Sequence, residues 1–317
     1  MPAPVSIVIP NWNVASLLER FLPAVVDELE RCPAGSECIV VDDGSSDNSI
    51  ALLREHFPRV VIAARARNRG FSSSANSGIE HARNERVVLL NNDIAVTPGF
   101  IAELDSVFSA SDDVFAVSAY QRTVLADGTL VDDGFHGLFY QGGELRIQHA
   151  TQDVLRGAPY RMGFADGGCS MYSRQKLVRL GGFCTALDPF YWEDVEISIS
   201  ALKSGWTIGF VPSSKVTHYR MSSTTKHPWK SYAVPLRNNI LVHWLTLDST
   251  AAWAPHLRRL IAKFFAKIVS GRPRYPLAVL MAALKFPEIL AWRRRRAVSA
   301  VLSFDQVMLD RDRSWTS

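Results

Sequence analysis

Residues 38–47 read Cys38-Ile39-Val40-Val41-Asp42-Asp43-Gly44-Ser45-Ser46-Asp47. Four apolar residues without polar alternation fit a strand buried on both faces, and an acidic, glycine-bearing turn follows at once. The flanking sequence repeats the pattern. Upstream, Val5-Ser6-Ile7-Val8-Ile9 is a strand stopped by Pro10, then Asn11-Trp12-Asn13 and a helix over Val14 to Leu29. Downstream, Asp47 caps a helix through Phe57, Val60 to Ala63 is a third strand, and Ser72 to His81 is a helix. Val87 to Leu90 is a fourth strand ending in Asn91-Asn92-Asp93, and Pro98 opens another helix at its first turn. Doubly buried strands separated by helices indicate a parallel sheet with covered faces. Ligands bind beyond the carboxyl ends of such strands, so one crevice should collect Asn11 to Asn13, Asp42 to Ser46 and Asn91 to Asp93.

Residues 120–165 change character. Gly128, Gly134, Gly137, Gly142, Gly143 and Gly157 punctuate short strands, the mark of a hairpin-rich insertion. Gly167 to Tyr172 returns to a strand and Arg174 to Leu180 to a short helix. Glu193 to Lys203 is helical, with Val195, Ile199 and Leu202 on one face and Gly205 as its stop.

Taken together, Ser6 to Asn13, Val41 to Asp47, Asn68-Arg69-Gly70-Phe71 with Ala75-Asn76-Ser77-Gly78, and Leu89 to Asp93 resemble the family 2 glycosyltransferases. Gly181-Gly182-Phe183, Trp192-Glu193-Asp194-Val195-Glu196 and Val216-Thr217-His218 complete the set, in the family's order across residues 5 to 220. The resemblance implies an α/β GT-A fold: a Rossmann-like, mostly parallel central sheet with helices on both faces, plus a C-terminal helical appendage. It is similar to bacterial enzymes building rhamnose-containing and other surface polysaccharides.

The implied donor is a nucleotide-diphosphate sugar, bound by Pro10, Trp12, Asp43, Asn68, Asn92, Asp93 and Asp166. Asp43 would meet the nucleobase, Trp12 would line it, and Asn92 would contact the ribose. Asn68 and Asn76 would pin the loop over the nucleotide. A leaving diphosphate needs its charge neutralised, which a divalent cation with oxygen ligands does. Asp93 and His218 are the implied ligands for Mn2+ or Mg2+. The family's acidic Asp-x-Asp is here Asn91-Asn92-Asp93, a single carboxylate, which makes a second ligand desirable. Asp194 would be the general base of an inverting transfer to an acceptor hydroxyl, with Glu193 next in line. Tyr191 and Trp192 would form a platform for a saccharide or lipid-linked acceptor. Competing readings stay open: a turn or helix cap for Asp93, a hydrogen-bonded strand-end histidine for His218, and a turn for Asp166. Core packing is the alternative for Trp12, Tyr191 and Trp192, and helix-dipole stabilisation for Asp194.

The 317 residues are 47% hydrophobic and 21% charged, which excludes a disordered acidic tail, a collagen-like repeat or a small disulfide scaffold. The net charge of +4 hides an asymmetry: residues 255 to 317 hold 13 Lys/Arg against 4 Asp/Glu, while the remainder is net acidic. Leu257, Leu260, Ile261, Phe264, Phe265 and Ile268 recur at helical spacing among Arg258, Arg259, Lys263 and Lys267, with Trp253 just ahead. Leu277, Leu280, Met281 and Leu284 repeat the pattern before Arg293-Arg294-Arg295-Arg296. Such cationic amphipathic helices suit an anionic membrane surface; the alternative is packing on the catalytic part. The expected division is 1–225, a GT-A glycosyltransferase domain with the 120–165 insertion on the acceptor side, and 226–317, a basic helical region.

Four cysteines without C-x-x-C pairing and no secretory signal lead to an expectation of a cytoplasmic protein, peripheral at the inner face of the cell membrane. No nucleic-acid module surrounds the arginine run, so no nucleic-acid partner is expected. A sugar-1-phosphate nucleotidyltransferase would want a glycine-rich, lysine-bearing phosphate loop after the first strand, which Pro10-Asn11-Trp12-Asn13 does not offer. A non-catalytic carbohydrate-binding protein would have no use for Asp43, Asp93 and Asp194.

Overall fold

A computed structural model of the protein describes residues 3–125, 127–149, 157–219 and 228–309. Strands β1 (Val5–Asn11), β2 (Glu37–Asp42), β3 (Val61–Ala64) and β4 (Arg86–Leu90) are parallel, in the order β3-β2-β1-β4. The chain leaves β1 in one direction to lay down β2 and β3, then crosses to the other side for β4. That reversal is the switch point at which α/β sheets open a binding crevice. The sheet continues through β11 (Cys169–Ser173), antiparallel to β4, then β6 (Val114–Val124) and β12 (Thr207–His218), which run parallel to each other. Short strands β5 (Ile94–Val96), β7 (Leu130–Asp133) and β10 (Tyr160–Arg161) pair at its margin, and β8 (His136–Gln141) with β9 (Glu144–His149) forms a separate hairpin. Residues 120–165 thus supply the end of β6 and β7 to β10.

Alternate residues of the central strands feed two cores. Ile7, Ile9, Cys38, Val40 and Val88 pack with α1 (Ala15–Leu29), α2 (Ser49–His56) and α4 (Phe100–Phe108). Val8, Ile39, Val41, Val87 and Leu89 pack with α3 (Phe71–His81), α5 (Arg174–Leu180) and α6 (Glu193–Lys203). Helix α3 approaches so closely that a Cβ on Gly78 would lie 2.1 Å from Val8 Cγ1.

Three local expectations are corrected. Strand β1 does not stop at Pro10 but runs to Asn11; β4 pairs with β1 only through Val8, so the missing N–H breaks no two-sided ladder. Pro98 precedes α4, whose first N–H groups, those of Gly99 and Ile101, donate to the buried Glu28 carboxylate. Helix α6 buries two faces rather than one: Ile197 and Ala201 meet the sheet, while Val195 and Ile199 face a third core.

That third core joins α6 and the β8–β9 hairpin to helices α7 (Pro228–Thr246), α8 (Thr250–Val269), α9 (Arg274–Leu284), α10 (Phe286–Ala297) and α11 (Phe304–Leu309). Residues 220–227, which carry the 225/226 boundary, lie outside the described residues. Polar ties reinforce the contact. Arg259 pairs with Glu144, Lys203 with Asp248, and the Tyr140 hydroxyl donates to Ala252 O. The arginine run is divided by it. Arg296 is buried against Glu196 at 2.7 Å, and Arg293 donates to Trp244 O, whereas Arg294 and Arg295 remain exposed. Trp253 and Trp292 also turn inward.

Candidate active site

The polar ends of β1, β2 and β4 are tied into one floor. Asn11 Nδ2 donates to Asp42 Oδ1 at 3.2 Å, and Asn92 Nδ2 donates to Asn11 Oδ1 at 3.1 Å. Asp42 Oδ2 accepts the Ser45 N–H, and Asn13, in the left-handed region at φ 55, accepts from Ser46 N–H at 2.7 Å. Asn11, to which the sequence attached no role, is therefore the central tie; its polarity at the end of an apolar strand was the available signal. Trp12 stands half-buried between Asn11 and Asn13, and Pro10 is half-buried in the strand before them.

Asp43 organises the neighbouring loop. Its Oδ2 accepts the N–H groups of Arg69 and Gly70 at 2.9 and 2.8 Å. Its Oδ1, buried and without a well-directed hydrogen bond, faces the Arg65 guanidinium at 3.3 Å. Gly44 is required where it sits, since at φ 72 a Cβ would lie 2.6 Å from Arg67 Cα. A cavity of about 270 Å3 is lined by Arg65, Ala66, Arg67 and Arg69. Asn68 is exposed in this loop, and Asp43 holds it instead. Asn76 pins a different segment, exchanging two hydrogen bonds with the backbone of Phe183.

Asp93 and His218 are brought together by strand pairing. Antiparallel β5 and β12 set His218 opposite Ile94, and Tyr219 N–H donates to Asp93 O. His218 Nε2 consequently lies 3.2 Å from Asp93 Oδ1. Among the described residues no group of three or more His, Cys, Asp or Glu side chains could hold a metal ion. A two-residue site suits a cation that takes its remaining oxygens from phosphates and water, so the residues present fit Mn2+ or Mg2+ bound with a diphosphate.

Two further carboxylates face each other across the turn that precedes β11. Asp166 accepts from Gly168 N–H at 2.7 Å and Gln121 Nε2 at 3.0 Å, and its Oδ2 is 3.7 Å from His136 Nε2. Burial alone would raise this carboxyl, but the His136 interaction and Gly168 N–H hold it at about 2. His136, stacked on Phe164, is raised despite burial by the same Asp166 contact. Asp194, half-buried in the first turn of α6, accepts from Val195 N–H at 2.8 Å and Gly167 N–H at 3.4 Å. Burial, with the charge of Asp166, pushes its carboxyl up to about 6. Glu193 is buried, and burial together with Asp194 raises its carboxyl well above the ordinary range. Asn91 N–H donates to Gly168 O, which joins this carboxylate turn to the Asn91–Asp93 strand end.

The approach to α6 is held from elsewhere. Tyr191 and Trp192 both occupy the left-handed region, at φ 74 and 75, a costly conformation for two successive non-glycine residues. Asn238 of α7 fixes it, with Nδ2 donating to Leu187 O, Phe190 O and Tyr191 O. Arg237 adds a donor to Asp188 O. The Asp188 carboxylate in turn accepts Ser72 N–H at 2.9 Å, closing the start of α3, and burial raises it to about 6. Tyr191 is exposed with its ring edge-on to Phe190, and Trp192 packs against the third core. Asp188, Arg237 and Asn238 had no motif to announce them.

The switch point at β1, the Asp93–His218 pair at one strand end and the elevated Asp194 carboxyl at the start of α6 are the chemical features that this α/β fold positions. The family model for glycosyl transferase family 2 matches residues 6–181, more than half of the chain, and the chain belongs to that family. It is similar to the N-acetylglucosaminyl-diphospho-decaprenol L-rhamnosyltransferase of Mycobacterium tuberculosis, 26% identical over 235 residues covering 67% of this chain and 74% of that protein. Among solved structures it resembles GalNAc-T7 with UDP, GalNAc and Mn2+, with a TM-score of 0.72 and 18% identity over 98% of this chain and 56% of that one. It also resembles a mannosyltransferase from Pyrobaculum calidifontis in complex with GDP-Man and Mn2+, with a TM-score of 0.54 and 19% identity over 94% of this chain and 87% of that one. At these identities the structures show the shared fold. The expected family and GT-A architecture are thereby borne out.

Proposed function

We propose that the protein is an inverting, metal-dependent hexosyl- or deoxyhexosyltransferase acting in bacterial surface polysaccharide or glycolipid assembly. The observation that carries the reading is the placement of Asp194. It is a half-buried carboxyl raised to about 6, and the Asp166–Gly168 turn it abuts is bonded to the strand end bearing Asp93. A carboxyl tuned this way is ionised at neutral pH yet more basic than an exposed aspartate, as a general base requires.

In this mechanism Asp43 and Trp12 hold the nucleoside and Asn92 the ribose, while Asp166 and its partner His136 bind sugar hydroxyls. Asp93 and His218 would hold a divalent cation, Mn2+ or Mg2+, which neutralises the diphosphate charge when bound. The acceptor hydroxyl lies on the anomeric face opposite the diphosphate, against Tyr191 and Trp192. Its oxygen bonds to the anomeric carbon as the bond to the diphosphate oxygen breaks, with the electron pair leaving on the diphosphate. Asp194 takes the hydroxyl proton. In-line displacement inverts the anomeric centre.

A lipid-linked saccharide is the acceptor class favoured by the mycobacterial relative, whose name specifies a decaprenol diphosphate acceptor. The nucleotidyltransferase alternative still finds no lysine-bearing phosphate loop after β1. Residues 1–225 would carry catalysis and 226–317 would brace it, at the cytoplasmic side of the membrane.

The test is nucleoside diphosphate release from a panel of sugar nucleotides with Mn2+ or Mg2+ and polyprenyl diphosphate saccharides. One donor should turn over and chelation should stop it. Consumption of nucleoside triphosphate and sugar 1-phosphate, with no transfer from any sugar nucleotide, would overturn the reading.

A further inference from the structure

Helices α8, α9 and α10 each seat one stripe on the protein and leave another bare. On α8, Ala252, His256 and Leu260 are buried, while Leu257, Ile261, Phe265 and Ile268, on successive turns, are exposed, Phe265 at 60%. On α9, Ala278 and Ala282 are buried and Leu277, Leu280 and Leu284 exposed; on α10, Ile289 and Trp292 are buried and Phe286 and Leu290 exposed. The three helices adjoin. Lys263 of α8 lies over the Tyr275 ring of α9, and Lys285 alone separates α9 from α10. Large apolar side chains bare on three neighbouring helices mark an interaction surface rather than the scattered exposure of an ordinary face.

Shape and charge select the occupant. Among the described residues no single helix is long and apolar enough to cross a membrane, and α9 with α10 meets the length only as a pair bent by 62°. Both of these helices bury a stripe in the core shared with α7, so they lie along the body. Arg258, Arg272, Arg294 and Arg295 are exposed on or between the same helices. Of the acidic groups there, Glu288 is taken by Lys285 at 2.7 Å. A second copy docked face to face would set these arginines against their like. An anionic lipid surface accepts both the apolar stripes and the arginines.

We infer that the exposed faces of α8, α9 and α10 form a docking surface for an anionic bilayer, with the helices lying in its interface. The sequence placed Trp253 and the whole arginine run at that surface; the structure turns Trp253, Trp292, Arg293 and Arg296 inward and leaves leucine, isoleucine and phenylalanine as the contact. This inference stands apart from the transfer reaction, because its readout needs no sugar nucleotide.

The experiment is flotation of the full chain with phosphatidylcholine vesicles, with and without phosphatidylglycerol. Binding is expected with phosphatidylglycerol and should weaken at high salt. The triple variant Leu257→Gln, Ile261→Gln, Phe265→Gln should bind about tenfold less or weaker still. Its thermal unfolding midpoint should match the parent, since all three side chains are exposed. Absence of flotation with phosphatidylglycerol, or undiminished flotation of the triple variant, would overturn the inference. A parent dimer that the triple variant turns into a monomer, with neither binding vesicles, would overturn it in favour of a second copy.

Discussion

His218 Nε2 and Asp93 Oδ1, 125 residues apart in the chain, stand 3.2 Å from each other because β5 pairs antiparallel with β12. As the proposed cation site, the pair would give a diphosphate-bound cation one oxygen and one nitrogen ligand. Loss of either should therefore act through metal affinity. His218→Ala is expected to raise the Mn2+ concentration for half-maximal turnover by about tenfold or more, and Asp93→Asn to raise it further. A metal titration of nucleoside diphosphate release checks this, and equal half-saturation for parent and variants would contradict it.

The elevated Asp194 carboxyl predicts two pH effects. As a base it works only when ionised, so kcat/KM should fall as pH drops through about 6. On stability the sign is opposite to that of a paired aspartate. The folded carboxyl binds its proton more tightly than the unfolded one, so ionisation costs stability as pH rises from about 4 through about 6. Asp194→Asn should accordingly raise Tm at neutral pH by about 2 °C or more. Asp166, held at about 2, behaves in the reverse sense, its contribution present above the ordinary carboxylate range and lost as pH falls toward about 2. Calorimetry across pH separates the two. A Tm lowered by Asp194→Asn would contradict the assignment.

Asn238 and Arg237 determine the backbone that delivers Asp194. Asn238→Ala removes the donor shared by Leu187 O, Phe190 O and Tyr191 O, leaving buried acceptors unmet at about 1–3 kcal/mol. With Tyr191 and Trp192 released from their strained conformation, α6 loses its alignment at the start. The expected kinetic result is kcat lowered about 10- to 100-fold with donor KM little changed. A variant that loses stability without that split would show Asn238 to be structural alone.

Arg296 and Glu196 form a buried ion pair between α10 and α6, and Arg296 also donates to Leu180 O and Gly182 O. Arg296→Met should destabilise by about 3–5 kcal/mol, because it strands the Glu196 charge. Adding Glu196→Leu should restore much of that loss. Chemical denaturation of the single and double variants is the measurement, and a double variant no more stable than the single would contradict the account.

The positions of β1, β2 and β4 were legible in the sequence because both determinants are local: these doubly buried strands are continuous apolar runs, and the candidate site residues sit at their ends, whereas the edge strand β3 leaves Val61 and Ala64 exposed. Asp43 and Asp93 could be located on that basis. The supports could not, because they are long-range. Asp188 closes a helix begun 117 residues earlier, and Asn238 meets its carbonyls some 50 residues away. Neither contact leaves a periodicity. The tail was half legible for the same reason. Apolar spacing marked the amphipathic helices, but which arginines face inward depends on Glu196 and Trp244, positions remote from the run itself.

The central claim is that Asp194 takes the acceptor proton during sugar transfer. Its most direct test is the single-turnover rate of transfer by Asp194→Asn beside the parent, with nucleoside diphosphate affinity measured on both. The rate should fall on the order of a thousandfold with affinity unchanged. Equal transfer rates in the two proteins would contradict it.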